Sequence, residues 1–132
     1  MVCRKKLGSI QNKERVRIEN KNKACMIEDH ESTVCVDPSI PLLNLIGKKY
    51  TVFVLGVIGN RGNTKNFNEI LLDIPFSSST IISRRLKELQ YFRMIERRED
   101  VDGVTYSLTK FGQDVRERLM PLFHLIEETS SD

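Results

Sequence analysis

Six basic residues (Arg84, Arg85, Lys87, Arg93, Arg97 and Arg98) lie in a fifteen-residue stretch that holds only two acids, Glu88 and Glu96. A cationic cluster of this density suits phosphate, and binding through it would weaken as salt is added. Just ahead of it, Ser77-Ser78-Ser79-Thr80 supplies short hydroxyl side chains that can approach phosphates and base edges closely. On a helical wheel at about 100° per residue, Ile82, Leu86 and Leu89 fall together and must be buried. The opposite face then carries Thr80, Ser83, Arg84 and Lys87, with Arg85 and Glu88 on its flanks. Arginine reads guanine through two parallel hydrogen bonds, and lysine at the far end of such a helix suits phosphate. The candidate DNA contacts are therefore Ser78, Ser79, Thr80, Ser83, Arg84, Arg85 and Lys87, in a recognition helix of about 78–89, joined by Arg97 and Arg98. The plain alternative is an amphipathic helix with a solvated polar face.

Other chemistry finds little support. The two histidines, His30 and His124, are far apart in the chain, and no glycine-rich phosphate loop, nucleophile elbow or paired carboxylates occur. The sequence argues against an enzyme and against a bound cofactor. Three cysteines (Cys3, Cys25 and Cys35) cannot all pair within one chain, so reduced thiols are the expectation. The spacing Cys25-x4-His30-x4-Cys35 matches the last three ligands of a zinc knuckle, but Asn22 stands where the first cysteine belongs, and no metal is expected. Cys35 could act as a redox sensor only if cations or a helix N-terminus lowered its pKa, and Asp37 nearby opposes that.

The cluster needs elements to hold it. The chain changes character near Asp37-Pro38, with sparse apolar residues and no sustained period before and strong periodicity after. We divide it into a flexible basic extension, 1–36, and an ordered domain, 37–132. Five helical segments follow: Ser39–Ile46, stopped by Gly47; Lys49–Ile58, apolar on most sides; Phe67 to about Leu72, ended by Pro75; the candidate recognition helix; and Thr109 to about Glu128. Between the last two, Met94–Arg98 and Val104–Leu108 flank Asp102-Gly103, a hairpin turn signal. A tri-helical cluster followed by a two-stranded hairpin and a long helix predicts a mainly α, α+β fold, the winged helix-turn-helix. The acidic turn (Glu99, Asp100, Asp102) argues against a hairpin tip deep in a groove.

The final helix carries Phe111, Val115, Leu119, Leu122 and Ile126 at spacings of four, four, three and four. Leu119, Leu122, Phe123 and Ile126 give more apolar width than leaning on one small domain requires, so they are the candidate dimer interface. A two-fold dimer would set its recognition helices roughly 34 Å apart and match an inverted repeat in double-stranded DNA. Packing within one chain is the alternative for this stripe. Pro121 interrupts it and is expected to kink the helix.

Length and charge agree. The 132 residues suit one domain with a tail, and no apolar run is long enough to span a bilayer or serve as a signal peptide, which places the protein in the cytoplasm and off the membrane. The net charge is +3, and the excess sits at the start: through Thr33 there are eight basic residues against five acidic, and afterwards thirteen against thirteen. Such an arm either touches nucleic acid or keeps the protein soluble.

From about Cys35 to Ile126 the chain resembles the HxlR-type family of winged-helix regulators, within the MarR-like group. The resemblance rests on Leu45–Thr51, Phe67–Ile70, Ile82–Leu89, Met94–Arg98, Val104–Gly112 and Leu119–Leu122, in that order. It departs at Tyr50, where the family has tryptophan, and at Arg93, where it has glycine; the wing is shorter and the basic extension is extra. The resemblance implies a dimeric DNA-binding regulator, in a family where some members sense oxidants or electrophiles through a cysteine near the place of Cys35. Other readings stay open: a winged helix used for protein–protein contact in a transcription assembly, or a redox-responsive regulator. The effector, if one exists, is not named by the sequence.

Overall fold

The computed structural model describes residues 24–62 and 64–130, in two compact units divided between Asn44 and Leu45. The basic arm through residue 23 lies outside the described residues.

The first unit contains a hairpin. Strands β1 (Cys25–Asp29) and β2 (Ser32–Val36) pair antiparallel, Cys25 opposite Val36 and Asp29 opposite Ser32. The turn is His30-Glu31, with His30 at φ 57° and the Ser32 hydroxyl donating to the Asp29 carbonyl at 3.0 Å. Periodicity missed this ribbon because a histidine, not a glycine or asparagine, takes the left-handed turn position. The Asp37 carboxylate then accepts from the Ser39 amide and hydroxyl, and Pro41 opens helix α1 (Pro41–Ile46), where its missing N–H costs nothing.

The second unit is built around helix α2 (Thr51–Ile58), whose Val54, Leu55 and Ile58 are fully buried. Helix α3 (Phe67–Asp73), helix α4 (Ser79–Tyr91), helix α5 (Lys110–Ser130) and strand β5 (Gly103–Leu108) all pack on it. Ile70 from α3 and Ile74 just after it, Ile82, Leu86 and Leu89 from α4, and Met94, Ile95 and Leu108 in and beside the wing complete the core. Asn66 and Glu69 form a reciprocal capping box on α3, each amide bonded to the other side chain at 2.8 Å.

The wing has one strand more than the sequence suggests. Strand β4 (Ile95–Asp100) pairs with β5, and β5 pairs on its other edge with β3 (Thr64–Lys65), giving the order β3-β5-β4. Two residues are too few to show a period. The turn is Val101-Asp102, with Gly103 at φ 121° opposite Asp100. Helix α4 is closed by a left-handed Arg93, φ 60°, whose amide bonds to Gln90 while the Met94 amide bonds to Leu89. This closure favours glycine, so arginine there is strained.

Helix α5 is capped by Thr109, whose hydroxyl accepts from the Gly112 amide and donates to the Arg93 carbonyl at 2.6 Å. Gly112 is the buried residue of its first turn, and a Cβ there would stand 2.0 Å from the Met94 carbonyl oxygen. Phe111, expected to begin the buried stripe, is exposed instead. Arg116 reaches back to the end of α2, donating to the Gly56 carbonyl at 2.9 Å and to Asn60, where a cation complements the helix terminus.

Candidate nucleic-acid interface

Helix α4 is positioned from its start. Ser78 is its N-cap, the hydroxyl oxygen accepting from the Ile81 amide at 3.4 Å, so its own proton remains available to an acceptor. Ser79 and Thr80 are exposed in the first turn, Ser83 is half-buried, and Arg84 and Lys87 are exposed and make no ion pair among the described residues. Ile82, Leu86 and Leu89 turn inward as their spacing predicts.

Arg85 is a correction to the predicted contact set. It is only 8% exposed, its Nε donates to the Lys49 carbonyl at 2.9 Å, and its Nη1 donates to Glu88 at 2.7 Å. Lys48 holds the other Glu88 oxygen at 2.9 Å. Two of its N–H groups tie α4 to the segment before α2, so Arg85 positions the helix from its buried side. The wheel set it on the flank, and only the fold supplies the orphan carbonyl of Lys49. Burial pushes the Glu88 carboxyl up, but hydrogen bonds from Lys48 and Arg85 outweigh it and hold the pKa below the ordinary glutamate value.

Arg97 and Arg98 are both exposed on β4, but strand alternation sends them to opposite faces of the wing. Arg97 shares the face of buried Ile95 and pairs with Glu99 at 3.5 Å; Arg98 makes no ion pair among the described residues. The two therefore do not form one surface.

On α5, Leu119 is half-buried, and Phe123 is half-buried beneath a stacked ring contact with Phe53, centroids 5.9 Å apart. Leu122 and Ile126, each 49% exposed, lie with Leu125 and Phe53 on uncovered apolar surface. Pro121 sits inside the helix, which continues to Ser130.

Cys35 is disulfide-bonded, which corrects the expectation of a reduced thiol, while Cys25 is free and exposed. Pairing depends on which segments meet in space, and chain spacing does not show that. Cys25 and Cys35 occupy neighbouring rungs of the ribbon and point from opposite faces, so they could not grip one ion. No cluster of metal-ligating side chains occurs among the described residues. No described helix is long and apolar enough to cross a membrane.

A three-helix core with a capped, cation-bearing third helix, followed by a β wing and a long helix, defines a winged helix-turn-helix protein. The HxlR-like helix-turn-helix family profile matches residues 45–132, and the chain belongs to that family of transcriptional regulators. It is 41% identical to a possible HxlR family transcriptional factor from Thermoplasma volcanium GSS1, with 83% of this chain and 99% of that one covered and a TM-score of 0.78. The reduced form of the transcriptional regulator YodB from B. subtilis is 27% identical, covering 67% of this chain and 83% of that one, with a TM-score of 0.53. The diamide-treated form of YodB is 25% identical over 67% of this chain and 88% of that one, with a TM-score of 0.55. No curated protein matches.

Proposed function

We propose that this protein acts in the cytoplasm as a homodimeric, sequence-specific DNA-binding regulator, placing α4 in the major groove of an inverted-repeat operator. One observation carries the reading. The leading edge of α4 presents Ser79, Thr80, Arg84 and Lys87 to solvent with no ion pair spent on the two cations among the described residues, while the reverse side of the helix is buried. That is the division of labour a groove-reading helix needs. Ser78 and Ser83 add hydroxyls at the same edge, and Arg98 serves the phosphate backbone from the wing. The uncovered surface of Leu122, Leu125 and Ile126 with Phe53 supports pairing through α5, with Leu119 and Phe123 beneath it.

The test is selection of duplexes from a random-sequence pool by the full chain. Recovery of an inverted repeat, with enrichment weakened by Arg84→Ala and by salt, is the expected result. A folded dimer that enriches nothing at low salt would sink the reading and favour a winged helix used for protein contact. A redox-responsive form of the same function is favoured by similarity to YodB, which is known in reduced and diamide-treated forms. Operator affinity that is identical with and without dithiothreitol would remove it.

A further inference from the structure

Phe76 stands in the turn between α3 and α4, two residues before the N-cap Ser78, and its side chain is 100% exposed. Its backbone is left-handed, φ 65°, a conformation that glycine adopts freely and bulky residues rarely do. The turn is nonetheless fixed. The Tyr50 hydroxyl donates to the Phe76 carbonyl at 3.1 Å, and the Ser77 amide donates to the Ile74 carbonyl at 3.2 Å. Tyr50 is itself left-handed, φ 72°, so two strained residues are joined by one hydrogen bond. Among the described residues nothing packs on the ring, and both conformation and solubility would favour glycine. A ring kept at such a position is available to a partner outside the chain.

Its surroundings narrow the partner. Phe76 leads directly into Ser78, Ser79 and Thr80, the hydroxyls at the front of the groove-facing helix. A phenyl ring has nothing to offer a phosphate. The apolar group displayed in the major groove of B-DNA is the 5-methyl of thymine, which side chains such as phenylalanine meet by direct contact. Resting on the proposal that α4 enters that groove, we propose that Phe76 is a specificity-determining residue whose ring packs on a thymine methyl group in each half-site. The hydrogen bond from Tyr50 holds the turn that carries it.

The experiment uses the full chain and the duplex it enriches from a random pool. Copies are made in which each thymine in turn is replaced by deoxyuridine, which lacks only the methyl group. One position per half-site is expected to lose about fourfold in affinity, the worth of burying one methyl-sized group. Phe76→Ala and Phe76→Gly are expected to bind both versions equally, and Phe76→Gly to melt above the parent chain, so that lost discrimination is not lost folding. A parent chain indifferent to deoxyuridine at every position overturns the proposal. Discrimination that survives in both variants overturns it too, as does uniformly weaker binding by the variants with no thymine dependence in the parent. A parent chain that enriches no duplex removes the DNA reading itself, a failure separate from these.

Discussion

Two helical glycines give the packing argument opposite signs under the same substitution. At Gly112 an added Cβ meets the Met94 carbonyl oxygen at 2.0 Å and its carbonyl carbon at 3.0 Å, both backbone atoms that cannot swing aside. The Met94 carbonyl also accepts from the Thr109 amide, so moving it loosens the cap of α5. Overpacking of this kind costs roughly 1–3 kcal/mol, and weakening the cap hydrogen bond adds about 1 kcal/mol. Gly112→Ala should therefore lose about 3 kcal/mol. A domain the size of 45–132 shifts by roughly 4–8 °C per kcal/mol, which predicts a melting temperature lower by about 12–24 °C. At Gly56, inside α2, the nearest atom to an added Cβ is a Phe123 ring carbon at 3.6 Å, an ordinary contact. There the better helix propensity of alanine should add about 0.5–1 kcal/mol and raise the midpoint by about 2–8 °C. Thermal unfolding of both variants by circular dichroism at one protein concentration measures the pair. A Gly112→Ala chain that melts with the parent, or a Gly56→Ala chain that falls as far as Gly112→Ala, would refute the packing described for α2 and α5.

Arg84→Ala should leave the melting temperature unchanged and reduce both DNA affinity and its salt slope. Arg85→Ala should do the reverse first, losing about 1–3 kcal/mol of stability because the Lys49 carbonyl and Glu88 are left without their partner; equal effects of the two on stability would contradict the assignment. Leu122→Asp with Ile126→Asp should give a folded monomer by sedimentation, and an unchanged molar mass would exclude α5 as the pairing surface. Because the folded pKa of Glu88 lies below its unfolded value near 4.5, its contribution is present above that pH and lost as pH falls through the lower folded value. Glu88→Gln should flatten that part of the acid limb of a stability–pH curve, and an unaltered limb would show that the Lys48–Glu88–Arg85 network carries no such share.

The parts of the fold written in local chemistry were legible. Ser78 caps α4, and Ile82, Leu86 and Leu89 turn inward at their helical spacing. Thr109 caps α5, and Asp102-Gly103 points to the wing turn to within one residue, the turn itself being Val101-Asp102. What was missed depends on other segments. The β1–β2 ribbon turns at a histidine, β3 is two residues long, and Arg85 looks like a surface cation until the Lys49 carbonyl is brought to it. Phe111 and Gly112 show the same limit: the apolar residue belongs to solvent and the glycine to the interior, because the deciding group is a carbonyl eighteen residues away, on Met94. Phe76 carries no local signal at all, since its left-handed backbone is set by the turn it occupies.

The wing's strand order has a consequence for crowding. Strand β5 is flanked on both sides, so the long free edge of the sheet belongs to β4, where Glu96, Arg97, Arg98, Glu99 and Asp100 are consecutive and charged. An edge of consecutive charged side chains discourages an incoming strand, because pairing would take those charges out of water. The other edge, β3, offers only two residues, too short to template growth. Copies held close together can therefore sit side by side with little tendency for their sheets to join edge to edge.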